Sequence, residues 1–206
     1  MTDRLNEIAD YYSGKLVEHG RTPRGVDWNG EESQQLRFMQ LAKLIDIAGP
    51  FSVNDLGCGY GAMFDYLDGA FAISTYFGQD ISEAMVDAAA ERHAGAANAT
   101  FQHTATPPQV ADFGFASGIL NVRLGASTEE WEGYVGDMLD TLDRTSRRGF
   151  AFNCLTSYSD ADRMRDYLYY ASPGGMFDRC KQLYARNVAL LHDYGLYEFT
   201  VLVRKT

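Results

Sequence analysis

Three glycines at alternate positions form the stretch of this sequence best suited to holding a ligand. Gly57, Gly59 and Gly61 follow an apolar run that passes through Asp55, and an apolar helical pattern begins near Ala62. This order predicts a strand, a tight turn and the start of a helix. Glycine suits such a turn because it adopts backbone angles that other residues resist, and because its missing Cβ lets the main chain touch a bound molecule. The stretch is therefore predicted to hold an adenine-bearing cofactor.

An acidic residue at the end of the next strand would supply the second part of such a site. Asp80 lies 19 residues beyond Gly61, a spacing that suits a carboxylate binding ribose hydroxyls. Gly57, Gly59 and Ala62 also satisfy the Gly-x-Gly-x-x-Gly/Ala fingerprint of nicotinamide and flavin enzymes, in which the loop carries a pyrophosphate. A dinucleotide site and a purely structural glycine turn therefore remain as alternatives.

The position of Asp55, two residues before the first of the three alternating glycines, favours a different cofactor. Together these residues resemble the first motif of class I S-adenosylmethionine-dependent methyltransferases, in which the loop faces the amino-acid end of the cofactor. The resemblance implies S-adenosylmethionine as the cofactor and methyl transfer as the reaction. The cofactor-binding residues that we expect are Tyr11, Asp55, Gly57, Cys58, Gly59, Asp80, Ile81, Met85, Thr104, Ser117 and Gly118.

The adenine end of the site departs from the pattern of that family. Met85 falls in the first turn of a helix predicted to begin after Ser82, where it is placed to cover an adenine ring or to pack in the core. A third strand is predicted over residues 99–103. Related methyltransferases commonly carry an acidic residue just beyond it, but here Thr104 begins a Thr-Ala-Thr-Pro-Pro run. We expect backbone groups or Thr104 to recognise the adenine instead.

Candidates for the acceptor site follow a fourth strand predicted over residues 111–116. In an open α/β sheet, ligands bind beyond the carboxyl ends of the strands, where the strand order reverses. In the resembled fold this place lies between strands one and four, so Ser117 and Gly118 are expected beside the glycine loop. Asn121 would then project toward the methyl group and the acceptor, although asparagine is also an ordinary turn residue.

Residues 1–30 are predicted to form a lid made of a helix over 2–19 and an irregular loop. Tyr11 and His19 lie on one polar stripe of the helix, which is either a solvated face or part of the site. Trp28 in the loop is expected near the substrate or cofactor, or packed on the sheet.

Aromatic residues beyond the fifth strand, predicted over 150–155, suggest a wall for the acceptor. Tyr158, Tyr169 and Tyr170 lie in an insertion that precedes a helix predicted from about Met176. They could line the acceptor site or pack against each other.

A general base is needed only if the attacking oxygen or nitrogen carries a proton at neutral pH. The catalytic candidates are His19, Asn121 and His192, with Tyr11 as a further possible base. No cluster of His, Asp and Glu has metal-ligand spacing, so we expect no metal site.

The end of the chain favours the methyltransferase fold over a dinucleotide dehydrogenase. Residues 187–194 and 197–204 are separated by so short a turn that they must be antiparallel strands, like strands six and seven of class I methyltransferases. Upstream, Asn29 and Glu32 form a capping-box pattern before the helix that leads to the first strand. We predict one α/β domain over residues 1–206, with a seven-stranded, mainly parallel sheet in the Rossmann-like order 3-2-1-4-5-7-6 and helices on both faces.

Composition limits the partners of the chain. The 206 residues carry a formal net charge of −10, which disfavours nucleic acid, and no apolar run reaches the roughly 20 residues of a membrane span. Three cysteines without disulfide or zinc spacing suit a reducing compartment, so the cytoplasm is expected. We expect a small, neutral or cationic acceptor. The alternatives are an NAD(P)- or FAD-binding oxidoreductase and a cofactor-binding regulatory protein without turnover.

Overall fold

A seven-stranded sheet is the centre of the computed structural model, which describes residues 2–205 and the side chains of residues 4–205. The strands are β1 (Phe51–Leu56), β2 (Ile73–Asp80), β3 (Ala99–His103), β4 (Ala111–Ala116), β5 (Ser146–Leu155), β6 (Asn187–Leu191) and β7 (Glu198–Arg204). The helices are α1 (Thr2–His19), α2 (Glu31–Ala42), α3 (Ala62–Ala70), α4 (Glu83–Arg92), α5 (Thr128–Arg144) and α6 (Pro173–Leu183), with a 3-10 turn at Pro23–Val26.

The strand order is β3-β2-β1-β4-β5-β7-β6, which confirms the predicted topology. Strands β1 to β5 pair in parallel, and β7 is antiparallel to both β5 and β6. Because β6 is antiparallel to β7, it runs in the same direction as β1. The carboxyl ends of six strands therefore meet at one edge of the sheet, where the order reverses between β1 and β4.

Alternating side chains of the strands supply two apolar layers, one on each face of the sheet. On the α2–α3 face, Phe113 and Phe115 of β4 belong to one buried cluster with residues of α2 and α3. On the opposite α5–α6 face, Phe150 and Phe152 of β5 belong to a second cluster with residues of α5 and α6. Helices on both faces confirm the predicted layering.

The N-terminal helix α1 packs on the α5–α6 face, above the carboxyl ends of the central strands. Ile8 is 5% exposed and shares a cluster with Leu56 of β1 and Trp131 of α5. The hydroxyls of Ser13 and Ser82 lie 2.8 Å apart, which links α1 to the start of α4. These contacts hold α1 over the edge of the sheet where a ligand is expected.

Several predicted boundaries are wrong, and local capping explains two of them. Helix α2 starts one residue later than the Asn29 cap implies, because Gly30 occupies the N-cap position and no side chain caps it. Helix α6 starts three residues before Met176, because the Ser172 hydroxyl accepts a hydrogen bond from the Gly175 amide and proline is tolerated in the first turn.

The start of β5 was also predicted too late. The strand begins at Ser146, four residues before the predicted start. Basic residues are typical of the last turn of a helix, but Arg147 contacts Asp112 of the neighbouring β4, at 3.3 Å. A cross-strand partner therefore allows charged residues to extend the strand. At the start of α5, Ser127 and Glu130 form a capping box.

Candidate functional site

A deep cleft opens at the carboxyl edge of the sheet, at the point where the strand order reverses. It contains about 1000 Å³ of space, including its open mouth. The loops after β1, β2, β3 and β4 line it, together with side chains of α1, α2 and α5.

The glycine loop after β1 forms the floor of the cleft. The amides of Gly57 and Cys58 both donate to the Gln79 carbonyl, at 2.7 and 3.0 Å, which fastens the loop to the end of β2. Gly57 has a φ of +70°, and a Cβ placed there would lie 1.9 Å from the side chain of Ile119. Both the backbone angle and the lack of space require glycine at this position.

Asp80, at the end of β2, lies beside the glycine loop. Its Oδ2 accepts a hydrogen bond from the Gly59 amide and its Oδ1 accepts one from the Ser82 amide, each at 2.9 Å. Burial raises the pKa of the Asp80 carboxyl, and the backbone donors of Ser82 and Gly59 offset part of this effect. The carboxylate is therefore held in one orientation at the wall of the cleft, with lone pairs left for a ligand.

Three cleft residues carry buried polar atoms that have no hydrogen-bond partner among the described residues: Asp55 Oδ1, Gln79 Oε1 and Ser117 Oγ. Leaving such an atom unpaired costs about 1–3 kcal/mol. Other atoms of this kind lie outside the cleft, so these three are groups with which a polar ligand could pair, and not by themselves evidence of one. Gln79 was missed in the sequence, because its side chain points to the sheet face opposite Asp80 and no motif marks it.

Asp55 is the most buried acidic group of the cleft, with 1% exposure. Burial raises the pKa of its carboxyl to about 7, although the hydroxyl of Tyr76 donates to Oδ2 and lowers it in part. A cationic group beside Oδ1 would favour the ionised form. The amino group and the sulfonium of S-adenosylmethionine are cations of this kind.

The apolar stripe of α1 lines the cleft, and the polar stripe does not. Leu5, Ile8 and Tyr12 line it, whereas Tyr11 donates from its hydroxyl to Asp27 Oδ2, at 2.6 Å. Burial and this hydrogen bond raise the pKa of Tyr11 well above its usual range, so its phenol is not a base at neutral pH. Tyr12 follows Ile8 by four residues and so lies on the same stripe of the helix, but this spacing alone does not distinguish a core position from a cleft wall.

Trp28 lies between the cleft and helix α2. It lines the cleft, its ring centroid is 5.8 Å from that of Phe38, and the Arg37 guanidinium lies 4.6 Å from its ring. A Cβ at Gly118, where φ is +84°, would lie 3.0 Å from the indole. Trp28 thus both packs on α2 and faces the loop after β4.

The adenine-side residues expected from the sequence also border the cleft. Ile81, Met85 and Thr104 line it, with Tyr134 and Met138 of α5 on the facing wall. Tyr134 was not expected there, because the apolar face of α5 predicts only a core position. Burial raises the pKa of Tyr134 well above its usual range, so it remains a hydrogen-bond donor.

The structure does not bring the three tyrosines of the insertion to the cleft. Tyr158 is 77% exposed, and Tyr169 is buried with its hydroxyl 3.4 Å from Glu132. The Tyr170 hydroxyl accepts from the backbone amide of Arg165. Tyr169 packs in the buried cluster that includes α5, and Tyr170 bonds to the backbone of its own insertion.

The catalytic candidates also lie outside the cleft lining. The Asn121 side chain accepts a hydrogen bond from the Leu155 amide at 2.9 Å, which fixes the end of β5. His19 lies 3.5 Å from Glu18, and exposed His192 packs against the ring of Tyr158. His19 and His192 lie at the ends of elements and Asn121 lies in the loop after β4, where the sequence shows the residue but not its direction.

Neither a metal cluster nor a membrane helix is present in residues 2–205. No group of three or more His, Cys, Asp and Glu side chains there is arranged to hold a metal ion. None of the helices described is both long and apolar enough to cross a bilayer.

The fold and the cleft define a class of protein. A sheet in the order 3-2-1-4-5-7-6, a glycine loop after β1 and a carboxylate at the end of β2 together form the Rossmann-like sheet of class I methyltransferases. The antiparallel β7 excludes the all-parallel continuation of a dinucleotide dehydrogenase.

Comparison with known proteins gives the family. A family profile described as a methyltransferase domain matches residues 53–143. A Mycobacterium tuberculosis protein named "Putative methyltransferase Rv1506c" is 57% identical to this chain over 163 residues. The matched residues are 79% of this chain and 98% of that protein. The chain therefore belongs to the class I S-adenosylmethionine-dependent methyltransferase family.

Solved structures share the fold at low sequence identity. The magnesium protoporphyrin IX methyltransferase of Synechocystis PCC 6803, solved with S-adenosylmethionine, has a TM-score of 0.69 and 17% identity over 98% of this chain and 97% of that chain. The N-methyltransferase NodS of Bradyrhizobium japonicum WM9, solved with S-adenosylhomocysteine, has a TM-score of 0.68 and 14% identity over 96% and 97% of the two chains. At such identities the likeness shows the fold alone.

Proposed function

We propose that the cleft binds S-adenosylmethionine and that this chain transfers the methyl group to a small-molecule acceptor. The observation that carries the proposal is Asp80, whose carboxylate is fastened to Gly59 and Ser82 beside a glycine loop that requires its glycines. The unpaired polar atoms of Asp55, Gln79 and Ser117 in the same cleft fit a ligand with several polar groups.

Each part of the cleft has a role in this proposal. Asp80 accepts hydrogen bonds from the ribose hydroxyls, and Asp55 lies toward the amino-acid end, where an ammonium would pair with its free Oδ1. Ile81 and Met85 cover the adenine, and Thr104 offers it a hydroxyl. When bound, S-adenosylmethionine supplies a methyl group already activated by its sulfonium.

The protein contributes mainly alignment and the exclusion of water. Leu5, Ile8 and Tyr12 of α1 cover the cleft, and we propose that residues 1–30 form a lid that closes over the ligands. Holding the acceptor in line with the bond to be broken converts an encounter between two molecules into a reaction within one complex, which accounts for much of the rate gain.

The charges of the cleft favour a neutral or cationic acceptor. Of the described residues that line it, Asp55 and Asp80 are the charged ones, and none is a lysine, arginine or histidine. An anionic acceptor would find no counter-charge there, and an acceptor that must lose a proton would find no histidine base. We therefore propose an acceptor whose attacking atom does not have to lose a proton before it takes the methyl group.

Turnover of isotope-labelled S-adenosylmethionine against a metabolite extract tests this proposal. A labelled product should appear, and its mass should identify the acceptor. Binding of S-adenosylhomocysteine without any labelled product would favour a regulatory protein instead. Tighter calorimetric binding of NAD or FAD than of S-adenosylmethionine would contradict the cofactor assignment.

A further inference from the structure

A buried ion pair lies behind the cleft, outside the residues that line it. Arg37 of α2 donates from Nε and Nη2 to the two carboxylate oxygens of Glu198 at the start of β7, at 2.7 and 2.5 Å. Both side chains are less than a tenth exposed. The free energy lost when two charges are removed from water offsets much of their attraction. For packing alone, a hydrophobic pair would therefore stabilise the fold as well as this ion pair.

Each partner of this ion pair is connected to a residue that lines the cleft. On one side the Arg37 guanidinium lies against the Trp28 ring, at 4.6 Å from its centroid. On the other side Asn153 Nδ2 donates to Glu198 Oε2 at 3.0 Å, while Asn153 Oδ1 accepts from the Gly118 amide at 2.8 Å.

Trp28 and Gly118 then meet each other at the cleft wall, where a Cβ on the glycine would touch the indole at 3.0 Å. The contacts from Trp28 through Arg37, Glu198 and Asn153 to Gly118 therefore form a closed ring. This ring joins α2, β7 and β5 to the loop after α1 and the loop after β4. Asp27, beside Trp28 in the same loop, is bonded to Tyr11 and paired with Lys15, which ties this loop to α1 as well.

We propose that Glu198 is a positioning residue, which through Arg37 and Asn153 holds Trp28 and the Gly118 backbone in the geometry that binds the cofactor. The inference rests on the proposed function, because it assigns the ring a purpose at the same cleft. The bidentate pairing suits this role, since two parallel hydrogen bonds fix the direction of the guanidinium that stacks on the indole. If the ion pair of Arg37 and Glu198 served only to stabilise the fold, it would not have to contact the loops that carry Trp28 and Gly118.

The fluorescence of Trp28 itself measures how well this side chain is held. In a Trp131→Phe background, Trp28 is the one remaining tryptophan, because the sequence contains two. Glu198→Gln in this background should raise quenching of Trp28 fluorescence by acrylamide at least twofold and weaken S-adenosylhomocysteine binding at least tenfold. Saturating S-adenosylhomocysteine should restore much of the protection of Trp28, because bound ligand orders the same wall.

Thr200→Val is the matched control. Thr200 lies on the same strand, is fully buried and contacts the Tyr194 hydroxyl at 3.0 Å, outside the ring. It should lower the thermal midpoint without changing Trp28 quenching or ligand affinity. If Glu198→Gln lowers only the midpoint, as the control does, the positioning role is wrong.

Arg37→Lys provides a second variant if Glu198→Gln does not fold. It retains the positive charge but loses the planar fork and the stacking surface, so it should also expose Trp28 and weaken binding. Unchanged quenching and affinity in folded Arg37→Lys would overturn the inference. Failure of the parent protein to bind S-adenosylhomocysteine would instead contradict the proposed function, and the quenching comparison made without ligand would then decide the positioning role.

Discussion

Replacing Asp80 by alanine is the sharpest single test of the proposed cofactor site. The substitution removes the carboxylate that accepts from the Gly59 and Ser82 amides at 2.9 Å. In the bound state it also removes the acceptor for the ribose hydroxyls. Hydrogen bonds to a charged group contribute about 1.5–3 kcal/mol. We therefore expect the dissociation constant of S-adenosylhomocysteine to rise about 10- to 150-fold.

The effect on stability should be smaller than the effect on binding. Two backbone amides lose their acceptor, but the protein no longer buries a carboxylate whose pKa burial raises. These contributions oppose each other, so Asp80→Ala should remain folded. Calorimetric titration with S-adenosylhomocysteine measures the affinity, and thermal unfolding followed by circular dichroism verifies the fold.

Asp112→Ala is the control for this measurement. Asp112 also accepts hydrogen bonds from a backbone amide and a hydroxyl, both of Ser52 at 2.9 Å, but it lies at the amino end of β4, away from the cleft. Its removal should reduce stability and leave affinity unchanged. An unchanged dissociation constant in folded Asp80→Ala, or an equal loss in Asp112→Ala, would refute the assignment of the ribose contact.

Three further perturbations test other parts of the cleft. Gly59→Val places a β-branched side chain at a φ of +54° with Val26 3.1 Å away, so S-adenosylhomocysteine binding measured by calorimetry should fall more than for Asp80→Ala. Trp28→Ala should lower turnover of labelled donor at least tenfold with an unchanged circular dichroism spectrum, and normal turnover would contradict its place at the cleft. Because burial raises the pKa of Asp55 to about 7, affinity for the cationic donor should rise from pH 6 to pH 8, and Asp55→Asn should abolish this slope. The raised pKa also means that protonated Asp55 contributes to the stability of the unliganded protein; this contribution is fully present below about pH 4 and is lost as the pH rises through 7. Urea unfolding at pH 8 should therefore show that Asp55→Asn has gained stability relative to the parent.

The sequence by itself determined the sheet and the position of the cofactor loop. Apolar runs bounded by turns predict the strands. The resemblance of the glycine loop and the C-terminal hairpin to class I methyltransferases implied the strand order. Gly57, Gly59 and Asp80 are recognisable because their roles depend on backbone angle and chain direction, which are local properties. The capping box of Ser127 and Glu130 at the start of α5 depends on local sequence in the same way.

Only the tertiary structure decided which side chains face the cleft. Tyr11 and Tyr12 are adjacent in sequence, yet one bonds to Asp27 and the other lines the cleft, because the packing of α1 against the 3-10 turn and α4 sets the rotation of the helix. Asn121 follows a strand that ends at the site, but its amide is directed to the backbone of β5.

The ring that contains Glu198 is the clearest case of a feature that the sequence could not reveal. Arg37 and Glu198 are 161 residues apart, and nothing local to either position marks a partner. The pairing exists because α2 packs on the face of the sheet where β7 begins. Hydrogen-bond direction and burial of charge depend on the surroundings that the fold creates, whereas strands and glycine turns depend on the chain's own neighbours.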